Sequence, residues 1–274
     1  MRRMIAIGDN VADHYMDEQI YYPGGNAVNV AVGCRRNGFD EVAYIGVFGT
    51  DKQALHIQWA LGREDITYEH SRYMAGISGC PQVKLDEHGD RRFVFSPKNT
   101  VQHLVGIKLT QEDIAYIETF DVCHTSCYSN LDYELPKLKG KCDVSYDFSD
   151  QHGEALLARV CPYVRFGFFS GSDLTDAQVD QLIAAAAGYG TEVVGITLGS
   201  RGALFAINGK RYEQGIKKAH VVDTMGAGDS FIAGFLTAFY QGLSPEESLD
   251  KAAQSAAITC GQNGGFGYGR PFGT

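Results

Sequence analysis

The chain has 274 residues, 44% of them hydrophobic, and a formal net charge of −9 at pH 7. It is long enough to bury a sizeable core, as one large domain or as two. The negative charge argues against a nucleic-acid-binding protein, because phosphate backbones are bound by faces rich in Lys and Arg. The seven cysteines are scattered, and neither a signal peptide nor a long apolar run is visible. These features predict a cytoplasmic protein with reduced thiols.

Short apolar runs alternate with segments of helical periodicity, a pattern typical of βαβ units that build a mostly parallel sheet. Strands are predicted at residues 4–8, 41–46, 121–125, 144–148, 163–169, 192–198 and 202–207. Helices are predicted at residues 26–37, 50–61, 110–120, 175–188, 226–241 and 245–261. The chain therefore belongs to the α/β class.

Two extended segments, residues 11–22 and 78–96, interrupt this alternation, and a polar turn is predicted at residues 86–90. Both segments fall between elements of the main sheet, so we predict that together they form a small β-sheet lid over the site. Residues 1–274 are then a single α/β domain with an inserted lid. The lid carries aromatic and apolar side chains that favour a homodimer through its strands, namely Tyr15, Tyr21, Tyr22, Val83, Phe93 and Phe95.

Residues 221–231 are the most informative segment, since an extended apolar run leads into Gly226-Ala227-Gly228-Asp229 and then into an apolar helix. Three small residues let the backbone point several N–H groups to one place, where the helix dipole adds positive potential. Phosphoryl transfer needs such donors beside a base that takes a hydroxyl proton, and Asp229 is the candidate base. On the residues alone, Asp229 is equally well interpreted as a helix cap.

Two nucleotide-binding classes lack their motifs in this sequence. No G-x-x-x-x-G-K-[ST] occurs, which excludes a P-loop enzyme, and no G-x-G-x-x-G follows the first strand, which disfavours a nicotinamide oxidoreductase. Residues 123–127 hold two cysteines and His124. We interpret this segment as buried packing rather than a metal site, because a fourth ligand is missing.

The glycine motifs resemble those of the ribokinase-like (PfkB) carbohydrate kinases. That family carries a Gly-Gly-Asn motif near its start, here Gly24-Gly25-Asn26, and a D-T-x-G-A-G-D motif near its end, here residues 223–229. The resemblance covers essentially the whole chain. It implies a ribokinase-like three-layer α/β/α domain with a small β-sheet lid, and ATP-dependent phosphorylation of a sugar-type hydroxyl. It also implies ATP and Mg²⁺, a small-molecule acceptor, and no nucleic-acid or membrane partner.

The resemblance assigns roles to matching positions. Gly226, Ala227 and Gly228 would form the anion hole, with Asp229 as the catalytic base. The residues implied to bind the acceptor are Asp9, Asp13, Gly25, Asn26 and Asn29. Without the family, Asp13 would be interpreted as a solvated loop residue. The residues implied to contact the nucleotide are Thr197, Gly199, Gly202, Asn263 and Gly264, the last two in a segment otherwise interpreted as a flexible tail.

The ion sites depart from the family pattern. Many members carry N-x-x-E after a central strand, whereas this chain has Ser170-Gly171-Ser172-Asp173. Asp173 would replace the Glu, and Mg²⁺ would be held mainly by ATP and water. Asp223 matches a position tied to monovalent-cation binding in some members, which makes K⁺ a candidate ion.

Within the family, residues 8–10, 24–32, 147–150 and 223–235 are similar to bacterial fructoselysine 6-kinases. This implies a fructosamine acceptor phosphorylated at its 6-hydroxyl, with Asp9 near the secondary ammonium and Asp13 on the sugar. The alternatives are another kinase of the family, acting on fructose, ribose, a keto-deoxy sugar acid or a nucleoside, and a catalytically inactive sugar-binding regulator on the same scaffold.

Overall fold

The computed structural model describes residues 1–85 and 91–273. Its strands are β1 (Arg3–Ile7), β2 (Val11–Tyr15), β3 (Ile20–Gly24), β4 (Glu41–Ile45), β5 (Val47–Phe48), β6 (Arg72–Tyr73), β7 (Gln82–Leu85), β8 (Arg91–Phe95), β9 (Val122–Ser126), β10 (Asp143–Asp147), β11 (Phe166–Ser170), β12 (Val193–Thr197), β13 (Ala203–Ile207), β14 (Lys210–Gln214) and β15 (Arg270–Pro271). Its α-helices are α1 (Asn26–Asn37), α2 (Lys52–Arg63), α3 (Val101–Leu104), α4 (Gln111–Ile117), α5 (Glu154–Val160), α6 (Asp176–Gly188), α7 (Ala227–Tyr240) and α8 (Pro245–Thr259).

The central sheet has eight strands in the order β14-β13-β12-β11-β10-β9-β1-β4. The strands from β12 to β4 are parallel, and β13 and β14 form an antiparallel edge. The predicted mostly parallel sheet is therefore confirmed, whereas β14 was not predicted, because its polar residues give no apolar strand pattern.

Each face of the central sheet carries its own apolar core. Met4 and Ala6 of β1 pack in a cluster with α1, α2, α7 and α8, whereas Ile5 and Ile7 belong to a cluster with α4, α5 and α6. Successive side chains of a strand point to opposite faces, so an uninterrupted apolar strand needs helices on both sides. The three-layer α/β/α prediction is confirmed.

The second sheet has five strands in the order β15-β3-β2-β7-β8, and the predicted lid segments supply four of them. The fifth, β15, pairs with β3 and was not predicted. The turn predicted at residues 86–90 lies outside the described residues. Six apolar side chains of the lid were expected to need a partner subunit to cover them. This expectation is wrong for four of the six. Those four are buried within the chain: Tyr15, Tyr21, Tyr22 and Val83.

Some predicted boundaries move by a few residues, each for a local reason. The helix predicted at residues 50–61 is α2, which begins at Lys52 because the Asp51 side chain accepts the Ala54 N–H and caps it. The strand predicted at residues 163–169 is β11 and begins at Phe166, because Cys161–Tyr163 form a 3₁₀ turn.

Candidate active site

The carboxyl ends of the parallel strands form one edge of the central sheet, where most candidate residues lie. β10 ends at Asp147, β9 at Ser126 and β12 at Thr197, and Asp9 follows β1. In open α/β sheets, ligands bind in the crevice outside this edge. The strand order therefore gathers polar residues that are far apart in the sequence.

Helices α1 and α7 lie side by side because small residues face each other between them. A side chain on Gly33 of α1 would come within 2.6 Å of Cβ of Ala233 in α7. Asn29 lies about one turn before Gly33, and Asp229 about one turn before Ala233. The close approach of the two helices thus brings Asn29 next to Asp229.

Asp229 lies in the first turn of α7, and two amides of α1 hold its carboxylate. Asn29 Nδ2 donates to Oδ2 at 2.6 Å, and Asn26 Nδ2 donates to Oδ1 at 2.8 Å. The carboxylate contacts a neighbouring helix rather than the N–H groups of its own, and α7 has no side-chain capping bond. This arrangement argues against the interpretation of Asp229 as a cap.

Asp147 is a second carboxylate beside Asp229, and the sequence analysis did not include it in the site. Its Oδ2 accepts the Asn26 amide at 2.8 Å, and its Oδ1 accepts the Ser149 N–H at 2.8 Å. Asp147 and Asp229 are both partly exposed, whereas Asn26 between them is buried. The two N–H groups of one amide therefore link two accessible carboxylates.

His124 lies behind this link and is fully buried. Its Nε2 is 3.0 Å from Asn26 Oδ1, and its Nδ1 is 2.9 Å from Ser145 Oγ. Burial lowers the pKa of His124 to about 3, so the ring is neutral at physiological pH. The predicted buried packing is confirmed for Cys123, whereas the polar contacts of His124 were not predicted.

Asp9 is buried against the beginning of α1. Its Oδ2 accepts the Asn26 N–H at 2.7 Å, and its Oδ1 lies 3.3 Å from the Ala27 N–H. Ser126 and Ser129 hydroxyls also lie at Oδ1, at 3.4 and 3.3 Å. Protein donors therefore surround the carboxylate that the sequence analysis placed near a substrate ammonium.

Asp13 contrasts with Asp9, because no hydrogen bond to its carboxylate is found within residues 1–85 and 91–273. It lies on lid strand β2 and is only 4% exposed. A side chain on Gly24 would come within 2.4 Å of its Oδ2. Nearby, Asn29 Oδ1 is also buried without a hydrogen-bond partner. Two buried polar groups are thus left for a ligand to satisfy.

The carboxylates at the sheet edge raise one another's proton affinity. Burial and the neighbouring Asp229 raise the pKa of Asp13 and of Asp147 to about 7. Burial raises the pKa of Asp229 to about 6, against the lowering effect of its bonds to Asn29 and Asn26. Burial also raises the pKa of Asp9, although the N–H groups of α1 lower it. Asp229 is therefore ionised at neutral pH while still basic enough to take a proton.

The beginning of α7 is the segment that the sequence predicts to form an anion hole. Gly226 precedes the helix with φ 72°, and a side chain there would lie 2.7 Å from Cα of Gly265. The Ala227 N–H donates to the Thr224 carbonyl at 3.2 Å, so it is the least available of the three predicted donors. Gly228 lies in the first turn of the helix, where N–H groups have no intrahelical acceptor.

Asp223 joins three separate segments of the chain. It is fully buried and accepts the Tyr15 hydroxyl of the lid at 2.6 Å, the Met225 N–H at 2.7 Å and the Gly264 N–H at 2.8 Å. The predicted ion residue is thus surrounded by protein donors, and it fixes Gly264 next to the beginning of α7. Asn263 is partly buried beside Gly264 in the same loop.

The predicted nucleotide loop lies at the end of β12. Thr197 is partly buried and its carbonyl accepts the Gly171 N–H at 2.8 Å, which joins the loop to the end of β11. Gly199 and Gly202 both have positive φ, and Gly202 packs against the Gln214 backbone. Asp173 is exposed near this loop, where the Ser172 hydroxyl donates to it at 3.2 Å.

The described residues offer no preformed metal cage. Over residues 1–85 and 91–273, no three His, Cys, Asp or Glu side chains are grouped so as to hold a metal ion.

Comparisons with known proteins agree with this geometry. Residues 3–267 match the pfkB family of carbohydrate kinases. The chain is 45% identical over 270 residues to the fructosamine kinase FrlD of Bacillus subtilis, covering 98% of this chain and 95% of that one. It is 31% identical over 269 residues to the fructoselysine 6-kinase of Shigella flexneri, covering 97% and 100%.

Among solved structures, Arabidopsis thaliana ribokinase complexed with ribose and ATP superposes with a TM-score of 0.83 at 20% identity, covering 96% of this chain and 94% of that one. This likeness shows the ribokinase-like fold. The chain belongs to the pfkB carbohydrate kinase family and is a kinase. No helix in the described part of the chain is long and apolar enough to cross a bilayer.

Proposed function

We propose that this kinase transfers the γ-phosphoryl group of ATP to the 6-hydroxyl of a fructosamine such as fructoselysine. The observation that carries the proposal is the Asp229 carboxylate, held by Asn26 and Asn29 in the first turn of a helix that has no side-chain capping bond. The two relatives named as fructosamine and fructoselysine kinases support the choice of acceptor.

In the proposed mechanism, Asp229 accepts the proton of the acceptor hydroxyl as that oxygen attacks the γ-phosphorus. The N–H groups at the beginning of α7, chiefly of Gly226 and Gly228, stabilise the charge on the transferring group. Gly25, Asn26 and Asn29 line the acceptor pocket. Asp13 binds sugar hydroxyls, and the absence of a hydrogen bond to its carboxylate among residues 1–85 and 91–273 supports that role.

The proposed nucleotide contacts are Thr197, Gly199, Gly202, Asn263 and Gly264. Mg²⁺, when bound with ATP, neutralises phosphate charge. Asp173, exposed beside the nucleotide loop, is the candidate for indirect contact with it. Asp223 is the candidate residue for monovalent-cation dependence. Since its side chain already has three protein donors, we propose that any K⁺ acts through the surrounding loop, and comparing rates in KCl and NaCl tests this.

A coupled ADP-release assay with fructoselysine, fructose, ribose and common nucleosides tests the proposed acceptor. We expect the highest kcat/KM with fructoselysine and a product phosphorylated at the 6-hydroxyl. Equal turnover of fructose or ribose would reject the fructosamine assignment and leave the kinase assignment intact. Binding of sugar without any ADP release would instead favour the inactive regulator.

We also propose that the protein is a cytoplasmic homodimer that pairs through its lid. Phe93, Val94 and Phe95 of β8, at the edge of the lid sheet, are 58%, 52% and 57% exposed. An exposed apolar edge strand favours pairing with a second copy. All seven cysteines are free, which supports a reducing compartment. Light scattering should give a dimer mass, and Phe93→Ser with Phe95→Ser should give a monomer. A monomeric parent protein would contradict the proposal.

A further inference from the structure

The Asn26 side chain uses all of its hydrogen-bonding groups except one lone pair. Its two N–H groups reach Asp147 and Asp229, and its oxygen lies 3.0 Å from His124 Nε2. Carboxylates in their ionised form only accept, so the NH₂ end of the amide must face them. The amide oxygen then faces His124, and Nε2 must carry the proton and donate it.

The orientation of this amide matters because an asparagine side chain is nearly symmetric in shape. A half-turn about its last bond would turn the oxygen toward Asp147 and Asp229, replacing two charge-assisted bonds with two repulsive contacts. The N–H of a fixed ring behind the amide opposes that turn. His124 is fixed in this way, because it is fully buried and Ser145 contacts its other nitrogen at 2.9 Å.

We propose that His124 is a positioning residue for phosphoryl transfer. It holds the Asn26 amide so that its two N–H groups face the carboxylates of Asp147 and Asp229. It contacts neither substrate nor phosphate in this scheme. The proposal rests on the proposed role of Asp229 as the base. It implies that the neutral ring with its proton on Nε2 is the active form.

Two substitutions at the same position separate positioning from packing. The side-chain nitrogen of Gln lies as many bonds from Cβ as Nε2 of His, so His124→Gln keeps a donor directed at Asn26. The polar atoms of Asn lie one bond nearer, at the level of Nδ1, so His124→Asn keeps only the contact with Ser145. Both variants remove the ring from the core, so their packing losses are similar.

For His124→Asn we expect kcat to fall about tenfold, with little change in KM for ATP. The acid limb of the pH profile of kcat/KM should move up by about one pH unit, because Asp229 loses a charge-assisted hydrogen bond that lowers its pKa. The charged groups around Asp229 that share this limb are Asp9, Asp13 and Asp147. For His124→Gln we expect kcat within about threefold of the parent and an acid limb that has not moved.

Equal loss in both variants, in step with their melting temperatures and with an unmoved acid limb, would overturn the proposal and make His124 a packing residue. If His124→Asn does not fold, His124→Gln alone decides, since a folded His124→Gln enzyme with a large loss of kcat contradicts the proposal. Failure of the base assignment is distinguishable, because Asp229→Asn would then keep most of its turnover.

Discussion

Two helices of this protein begin in the same way but are used differently. Both α1 and α7 follow a glycine with positive φ, Gly25 at 103° and Gly226 at 72°, and neither has a side-chain capping bond from that residue. At α1 the carboxylate of Asp9 occupies the N–H groups. At α7 no side chain of the described residues does so, and the carboxylate of Asp229 faces away toward α1.

The difference shows that the source of the anion decides the role of an anion site at a helix start. The site is structural when a side chain of the protein fills it, and functional when a ligand does. A built-in carboxylate fixes the α1 backbone and the position of Asn26, whereas an unfilled site leaves donors for a phosphoryl group. The same contrast divides the carboxylates, since donors surround Asp9, whereas none to Asp13 lies in the part of the chain that the structure describes.

The strongest test of the unfilled site at the beginning of α7 is Asp229→Asn. We expect kcat to fall by about 10²–10⁴-fold, because the hydroxyl proton loses its acceptor, while ATP affinity stays nearly unchanged. Steady-state kinetics and nucleotide titration measure both quantities. Asp180→Asn, at an exposed carboxylate paired with Arg211, is the matched control. A mutant with most of its activity would show that Asp229 only stabilises the helix.

The site at the beginning of α1, which the Asp9 carboxylate fills, is tested by Asp9→Asn. Loss of the charge at the α1 start should lower the free energy of unfolding by about 1–2 kcal/mol. Activity should fall to a similar degree on fructoselysine and fructose, because the displaced residue would be Asn26. Asp65→Asn, at an exposed carboxylate paired with Arg35, should change stability by less than about 0.5 kcal/mol. A loss of activity on fructoselysine alone would instead support the predicted contact between Asp9 and the substrate ammonium.

The backbone at α7 is tested by a pair of alanine substitutions, compared by chemical denaturation. Gly226→Ala should cost about 1–2 kcal/mol of unfolding free energy, because φ is positive and the new Cβ would meet Gly265. Gly228→Ala should leave stability unchanged or higher, because its Cβ meets no atom within 4 Å and alanine favours helices. Equal stability of the two variants would contradict the geometry at Gly226.

Stability and activity should respond to pH in opposite directions. The folded pKa values of Asp13, Asp147 and Asp229, about 7, 7 and 6, lie above the unfolded value near 3.9. The folded state therefore binds more protons, and this contribution to stability is present at low pH and is lost as pH rises through 6–7. From pH 8 to pH 5.5 the melting temperature should rise while kcat/KM falls. Each kcal/mol gained in the free energy of unfolding corresponds to roughly 2–4 °C in melting temperature. Asp147→Asn should reduce the stability trend. A melting temperature that falls over this range would contradict it.

Much of the fold could be predicted from the sequence because its signals are local. Apolar runs and helical periodicity located β1, α1, α7 and α8 to within two residues. The segment from Gly226 to Asp229 was recognised because its turn and helix start depend on neighbouring residues. β15 and β14 were missed, since a two-residue strand and a polar edge strand have little pattern of their own.

The site was predicted less completely, because sequence signals are local and the contacts of the site are not. The sequence by itself determined which residues could begin an anion-binding helix and offered Asp229 as a base. Asn26 and Asn29 became candidates through the family resemblance. Only the tertiary structure decided that Asn26 joins Asp147 to Asp229, that His124 contacts this amide, and that Asp9 is held by α1. These contacts span 17 to 203 residues and depend on strand order and on the Gly33–Ala233 approach, which no local pattern encodes.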